Sequence, residues 1–231
     1  MEIPTHIAII MDGNRRWAKK NNLDTPSGHK KGAETLEKIT KYCNKIGVKY
    51  LTCYTFSTEN WKRSEFEVKA IMMLMEKYIE RFLGDEDMQN VKLKIVGNME
   101  TIPSSLRASF EKLENKTKDN TGLQLNLAFN YGGRAEIVNA CKKIALDVKE
   151  NKINLDDINE DTFSNYLYTK DIPDPDLVIR TSGEIRTSNF LPWQTTYSEF
   201  LFLDKFWPEF NEADIDAAIE NLNNRQIRKG S

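Results

Sequence analysis

Asp12 stands where an apolar run, Ile7-Ala8-Ile9-Ile10-Met11, ends in the polar turn Gly13-Asn14-Arg15-Arg16-Trp17. A short run of this kind reads as a buried parallel strand, and ligands of open α/β sheets gather beyond the carboxyl ends of such strands. One carboxylate beside a glycine, an amide and two guanidiniums can hold a hydrated Mg²⁺ and a diphosphate together. Mg²⁺ takes a carboxylate plus phosphate oxygens, and guanidinium grips phosphate in bidentate fashion. The spacing marks a site for phosphate chemistry.

Two more stretches have the same character. Phe56-Ser57-Thr58-Glu59-Asn60-Trp61-Lys62-Arg63 follows a second strand, so its hydroxyls, amide, indole and Arg63 can converge on the same crevice. Ser64 with Glu67 three residues on reads equally well as a capping box for the next helix. Trp61 is unexpected in a polar loop unless it covers something. Arg180-Thr181-Ser182-Gly183-Glu184-Ile185-Arg186-Thr187-Ser188-Asn189-Phe190 follows the apolar strand Leu177-Val178-Ile179 and can clamp a diphosphate with two arginines, two hydroxyls and a glycine. Pairing of Arg180 with Glu184 inside the loop is the bland alternative. Three polar strand ends in one sheet favour a site.

The elements that must position these residues alternate between strand-like and helix-like patterns, the mark of βαβ units feeding a mostly parallel sheet flanked by helices. Strands are expected over 7–11, 48–56, 91–96, 123–129 and 177–179. Helices are expected from Ser27 or Gly28 to the Gly47 stop, then near 65–84, 103–119, 134–150 and 212–223. Val68, Ile71, Met72, Met75, Ile79 and Phe82 recur at helical spacing, with Phe66, Met73 and Leu74 on other facets. Such a helix is either sandwiched in the core, with Met filling gaps, or one wall of an elongated hydrophobic cleft. The 231 residues, 39% hydrophobic and 29% charged, form one α/β domain over 1–231, with 225–231 as a tail. A net charge of −2 argues against a nucleic-acid binder. Cys43, Cys53 and Cys141 form no CxxC pair, which suits reduced thiols in a cytoplasmic protein rather than zinc or disulfides. No signal pattern precedes the first strand and no apolar run approaches the about 18 residues that span a bilayer, so any membrane contact is expected to be peripheral.

Taken together, Met-Asp-Gly-Asn-x-Arg-Trp-Ala at 11–18, Gly-His-Lys-x-Gly at 28–32, Phe-Ser-x-Glu-Asn-Trp-x-Arg at 56–63, Asn-Tyr-Gly-Gly-Arg at 130–134 and Arg-Thr-x-Gly-Glu-x-Arg-x-Ser-Asn-Phe at 180–190 resemble the cis-prenyltransferases of the undecaprenyl diphosphate synthase type. The resemblance implies a homodimeric α/β enzyme with a hydrophobic product tunnel. It would extend farnesyl diphosphate by repeated cis condensation with isopentenyl diphosphate, using Mg²⁺, to make a lipid carrier for cell-wall synthesis. It also implies roles. Asp12 would bind Mg²⁺ and assist departure of the allylic diphosphate, which Gly13, Asn14, Arg15, Arg16 and His29 would hold. Trp17, Trp61 and Ser57 would line the substrate cleft, with Thr58 and Glu59 beside them. Asn60 matches the position assigned to proton removal, although an amide is a poor base and the released diphosphate is the better acceptor chemically. Arg63, Arg180, Arg186, Thr187 and Ser188 would bind isopentenyl diphosphate, and Glu199 would be a second metal-associated carboxylate. Arg228 and Gly230 match a tail that reaches the partner's site.

Arg15 stands where the family commonly has Gly, Ser182 where it has Gly, Ile185 where some members have His, and Thr25 where many carry an arginine for the allylic diphosphate. Arg15 can restore part of that charge. The chemistry is consistent with the residues: ionising an allylic C–O bond needs cationic groups on the leaving diphosphate in a dry site. Absence of a Walker loop, a GxGxxG turn and a DDxxD pattern weighs against kinases, dehydrogenases and trans-synthases. Two further readings are a noncatalytic partner subunit of the same fold and a generic phosphate-binding module. The first should have lost Asp12 or the Arg63, Arg180 and Arg186 set, and this chain keeps all four.

Overall fold

A computed structural model describes residues 2–84, 88 and 90–225. Strands β1 (His6–Ile10), β2 (Tyr50–Ser57), β3 (Lys92–Val96), β4 (Gln124–Tyr131), β5 (Leu177–Arg180) and β6 (Glu199–Phe202) alternate with helices α1 (Asn14–Lys20), α2 (Thr25–Ile46), α3 (Glu65–Gly84), α4 (Ser104–Thr117), α5 (Gly133–Lys149), α6 (Glu160–Ser164) and α7 (Glu212–Asn223). The strands form one parallel sheet in the order β3-β4-β2-β1-β5-β6. β1 therefore lies between β2 and β5, and the three polar strand ends become neighbours.

Both faces of the sheet are covered. Ile7 and Ile9 point to a large core shared with Leu36, Ile39 and Cys43 of α2, Ile71, Met75 and Ile79 of α3, and Ile215 and Ile219 of α7. Ala8 and Ile10 point to the other face, where Val178, Tyr131, Phe190 and Leu191 pack. Full burial of each such isoleucine contributes about 1.5–3 kcal/mol, which fixes β1 in register at the centre of the sheet.

The structure corrects the sequence reading at four places. The expected turn at 13–17 is the start of α1, because Gly13 adopts φ 109° and launches a helix directly from β1. Helix α2 begins at Thr25, earlier than Ser27, with the Asp24 carboxylate accepting the Ser27 N–H at 2.9 Å. A sixth strand, β6, was missed because its four residues are all only half-buried and show no buried run. The short helix α6 was also missed. The other predicted helices agree with α3, α4, α5 and α7 to within about two residues, the ordinary uncertainty of helix ends. Cys43 and Cys53 are free and buried, and Cys141 is free and exposed. No helix among the described residues is long and apolar enough to cross a membrane.

Candidate active site

Asp12 follows β1 and is held through its backbone before its side chain does anything. Its N–H donates to Thr181 Oγ1 at 3.0 Å, the Thr181 hydroxyl donates to the Asp12 carbonyl at 2.7 Å, and the Trp207 N–H donates to that carbonyl at 3.0 Å. The carboxylate then faces two guanidiniums, Arg180 Nη2 at 2.9 Å and Arg16 Nη2 at 3.2 Å. Burial alone would raise this carboxyl, but the hydrogen bond from Arg180 and the Arg16 charge outweigh it and hold Asp12 below the usual carboxylate range. Asp12 is thus an ionised carboxylate wherever the protein is folded near neutral pH.

Arg180 is buried at the end of β5, 4% exposed. Besides Asp12, it donates to Ser188 Oγ at 2.7 Å and to the Arg186 carbonyl at 2.5 Å, and its Nε is buried with no hydrogen-bond partner. The alternative pairing with Glu184 is not formed. Glu184 binds Arg16 at 3.1 Å and Arg186 at 2.5 Å instead. Arg186 is exposed, so only its carbonyl, not its guanidinium, meets Arg180 in this arrangement. Thr187 contributes a carbonyl to the same turn, accepting the Phe190 N–H. The turn is sharply bent: Ser182, Ser188, Asn189 and Leu191 all have positive φ, from 49° to 76°. Non-glycine residues in that region cost about 1–3 kcal/mol each and persist where the surroundings hold them.

At the end of β2, the Ser57 N–H donates to Asn60 Oδ1 at 3.0 Å, so the Asn60 carbonyl oxygen organises the short 3-10 turn Thr58–Lys62. That engagement, like its chemistry, makes Asn60 a poor base. Thr58 Oγ1 donates to Glu59 at 3.3 Å, and Asn189 Nδ2 donates to the other Glu59 oxygen at 3.0 Å, stitching the β2 end to the β5 loop. Trp61 lies edge-on to Phe56, centroids 5.1 Å apart, and its indole donates to Asn130 Oδ1 at 2.7 Å. It covers core and ties the 3-10 turn to strand β4. Arg63 binds Glu67 at 2.9 Å, and the same carboxylate meets His29 Nε2 at 3.3 Å and Arg15 at 3.8 Å. Only half of the expected capping box exists: the Glu67 N–H donates to Ser64 Oγ at 3.3 Å while its side chain turns to Arg63, His29 and Arg15.

These groups border two adjoining cavities. The first, about 610 Å³, runs from Asp12, Asn14, His29, Ser57, Glu59, Asn60, Arg63, Arg180 and Ser188 to an apolar end made by Ala33, Leu36, Ile71, Leu74, Met75 and Tyr78. The second, about 630 Å³, is lined by Gly13, Arg15, Arg16, Lys19, Leu23 and Thr25 and shares Met11, Asp12, Asn14, His29 and Arg63 with the first. A basic chamber thus opens into a chamber with an apolar end, with Asp12 at the junction. Gly28 and Gly32 allow α2 to lie this close, since a Cβ on either would run into the Asn14 carbonyl or its side-chain oxygen. Helix α3 satisfies both of its readings, with Ile79 and Phe82 in the core and Ile71, Leu74, Met75 and Tyr78 on the wall. Trp17 and Trp61 line neither chamber, nor do Thr58, Arg186 and Thr187. Thr181 and Trp207, which pin Asp12, were not singled out from sequence. Glu67 was read only as a cap, although Arg63 four residues earlier in the chain was the available signal.

Glu199 is elsewhere. It opposes Leu177 at the start of the strands, whereas Asp12 follows Ile10 at their end, five residues on from Ile7, which also opposes Leu177. That is about 16 Å along the strand direction. Its carboxylate binds Arg225 at 2.6 Å. One ion cannot bridge Asp12 and Glu199 of the same chain, so the second metal-associated carboxylate expected at Glu199 is not a co-ligand of an ion at its own chain's Asp12. Arg228 and Gly230 lie outside the described residues. Among those described, no group of three or more His, Cys, Asp and Glu gathers to hold a metal alone. The donors at Asp12 nonetheless fit Mg²⁺, which is commonly held by one or two carboxylates with substrate phosphates and water. Asn14 Oδ1 adds a buried oxygen with no partner, bordering both chambers.

The wider comparisons agree with this geometry. Residues 10–230 match the prenyltransferase family model described as "Putative undecaprenyl diphosphate synthase". An isoprenyl transferase of Clostridium perfringens is 51% identical over 99% of this chain and 90% of its own length. The ditrans,polycis-undecaprenyl-diphosphate synthase ((2E,6E)-farnesyl-diphosphate specific) of Micrococcus luteus is 48% identical over 99% and 92%. Among solved structures, lavandulyl diphosphate synthase from Lavandula x intermedia, in complex with dimethylallyl diphosphate, superposes with TM-score 0.94 at 34% identity over 99% of both chains. A probable undecaprenyl diphosphate synthase of Campylobacter jejuni gives TM-score 0.81 at 31% identity over the full length of both. With its parallel sheet, paired chambers and full-length similarity, the chain belongs to the undecaprenyl diphosphate synthase family of prenyltransferases.

Proposed function

We propose that this protein condenses isopentenyl diphosphate repeatedly onto an allylic diphosphate, farnesyl diphosphate first, to build undecaprenyl diphosphate. The observation that carries the reading is the junction at Asp12, where a chamber of bases meets a cavity whose far end is apolar. A prenyl diphosphate has the same two-part character. Its diphosphate suits Gly13, Asn14, Arg15, Arg16 and His29, and its hydrocarbon suits Leu36, Ile71, Leu74 and Met75. Arg15 lines the same chamber as Thr25, so it restores part of the positive charge that an arginine at 25 would bring.

In the reaction, the allylic C–O bond breaks and the diphosphate leaves with both electrons. The isopentenyl double bond attacks the allylic carbon, and loss of a proton from the new cation restores a double bond. Arg16 stabilises charge on the leaving group together with Arg63, which the resemblance assigns to isopentenyl diphosphate but which borders both chambers, because preorganised donors in a dry site act on the charge as it develops. Arg180 with Ser188 holds the second diphosphate. Asp12 would hold Mg²⁺ with the substrate's phosphate oxygens, and the ion would supply Lewis acidity to the leaving diphosphate. The departing diphosphate takes the proton more readily than Asn60, whose oxygen is already a hydrogen-bond acceptor.

A homodimer completes the account. A metal role for Glu199 would be separate from the ion at its own chain's Asp12, which is at the other end of the sheet. Arg228 and Gly230 are proposed to reach the partner's site, where glycine allows the backbone close to a diphosphate. The setting is cytoplasmic, with peripheral membrane contact for product release. Pyrophosphate release from farnesyl and isopentenyl diphosphates, measured with Mg²⁺ and with excess chelator, tests the reading. Turnover is expected only with Mg²⁺ and both substrates, and its absence under all conditions would favour the noncatalytic subunit.

A further inference from the structure

Glu67 lies in the first turn of helix α3 and is 9% exposed, and the helix is capped by its N–H, which donates to Ser64 Oγ, not by its side chain. Its carboxylate faces bases from three different elements. Oε1 lies 2.9 Å from Arg63 Nη1 and 3.3 Å from His29 Nε2, while Oε2 lies 3.8 Å from Arg15 Nη1. All three bases line the basic chamber. Burial pushes the His29 imidazole down against the pull of Glu67, so the carboxylate chiefly balances the two guanidiniums. Glu67 itself lines neither chamber, so this anion pairs with the bases from behind and uses donors that a phosphate in the chamber would also need.

A fixed carboxylate there would repel every incoming diphosphate, and a mobile one would compete with it. Resting on the reading of the basic chamber as the allylic diphosphate pocket, we propose that Glu67 is a displaceable counter-anion of that pocket. It neutralises Arg15 and Arg63 while the chamber is empty, yields them to the arriving diphosphate and takes them back as pyrophosphate departs. Displacement lowers affinity for all diphosphates alike, as any competing closed state does. An enzyme that must expel pyrophosphate after every condensation gains faster release from that lowered affinity. Because Glu67 is in the first turn of α3, the exchange also links pocket occupancy to the helix that walls the apolar end.

The rival role is simple positioning, in which Glu67 orients Arg63 for the ligand. The two roles predict opposite signs. Calorimetric titration of inorganic pyrophosphate with Mg²⁺ into the full-length protein and Glu67→Gln should show binding tightened by about tenfold in the variant, the size of a typical coupling between mutually exclusive occupants. KM for farnesyl diphosphate and kcat should fall together, since release slows. Unchanged or weaker pyrophosphate binding in Glu67→Gln would overturn the proposal. If that variant does not fold by circular dichroism, Glu67→Asp is read in its place, with a shorter carboxylate and the same direction of change required. Failure of the unmodified protein to bind pyrophosphate would instead sink the pocket reading beneath it.

Discussion

Asp12 and Arg180 form a unit in which each answers the other's charge, and this changes what mutation of either should do. Removing the carboxylate leaves the Arg180 guanidinium buried without its counter-charge, which is costly. Asp12→Ala is therefore expected to lose condensation and also about 1–3 kcal/mol of stability. Asp12→Asn should keep the fold, because an amide oxygen still accepts from Arg180, while turnover drops on the order of 10² to 10³ or more. Urea melts beside steady-state rates separate the two effects, and near wild-type turnover in Asp12→Asn would refute the assignment. Arg180 and Arg186 should differ as well. Arg180→Ala is expected to raise KM for isopentenyl diphosphate and lower kcat, since it touches Asp12, whereas exposed Arg186 should affect KM alone. Equal kcat losses would show the two to be equivalent. At this scale the sequence carried the residue types but not their partners. Asp12 could be recognised because a carboxylate ended an apolar run. Its pairing with Arg180 spans 168 positions of chain and exists only once β1 and β5 lie side by side.

Helix α3 shows what periodicity can and cannot decide. Its apolar spacing is broader than one face, and both uses of that breadth occur: Leu74 lines the cavity while Met73, 50% exposed, looks outward. A bulky Leu74→Trp side chain should obstruct the apolar end and shift products to shorter chains, by mass spectrometry of the dephosphorylated lipids. Met73→Trp, one residue away on the outer surface, should leave the distribution unchanged. Shortening by both or by neither would remove α3 from the wall. The strands were legible where they are fully buried, as in β1 and β5. β6 was not, because an edge strand of four half-buried residues carries no run to detect. Helix α1 was read as a turn since nothing local reveals that Gly13 takes the left-handed φ that starts it.

At the scale of the whole molecule, the sheet order is the fact that makes a site. Alternating patterns in the sequence predict parallel strands, but only the order β2-β1-β5 makes neighbours of three loops far apart in the chain. Beneath that site, His6 ties the sheet together: Nδ1 lies 2.6 Å from the Pro173 carbonyl and Nε2 2.7 Å from Thr52 Oγ1, so Nδ1 donates and Nε2 accepts. Burial pushes its pKa down to about 4. Between the ordinary value near 6.5 and about 4, the unfolded chain takes a proton that the fold refuses. The native state should thus lose about 3 kcal/mol through this group as pH falls across that window, and nothing above it. Glu136, raised by burial, works in the opposite sense. The His6 effect is therefore read as a shallower pH dependence of urea stability in His6→Gln, and an unchanged slope would contradict it.

Assembly belongs to the same scale. Mixing Asp12→Ala subunits with subunits truncated before Arg228 should restore activity that neither has alone, if the tail serves the partner's site, and no recovery would confine the site to one chain. The central claim, that the junction at Asp12 joins isoprene units in cis, is tested most directly by the product itself. Purified protein given farnesyl diphosphate, excess isopentenyl diphosphate and Mg²⁺ should yield undecaprenyl diphosphate by mass spectrometry, with every new double bond cis by NMR. Products with trans bonds, or no condensation by folded protein that binds both substrates, would contradict the account.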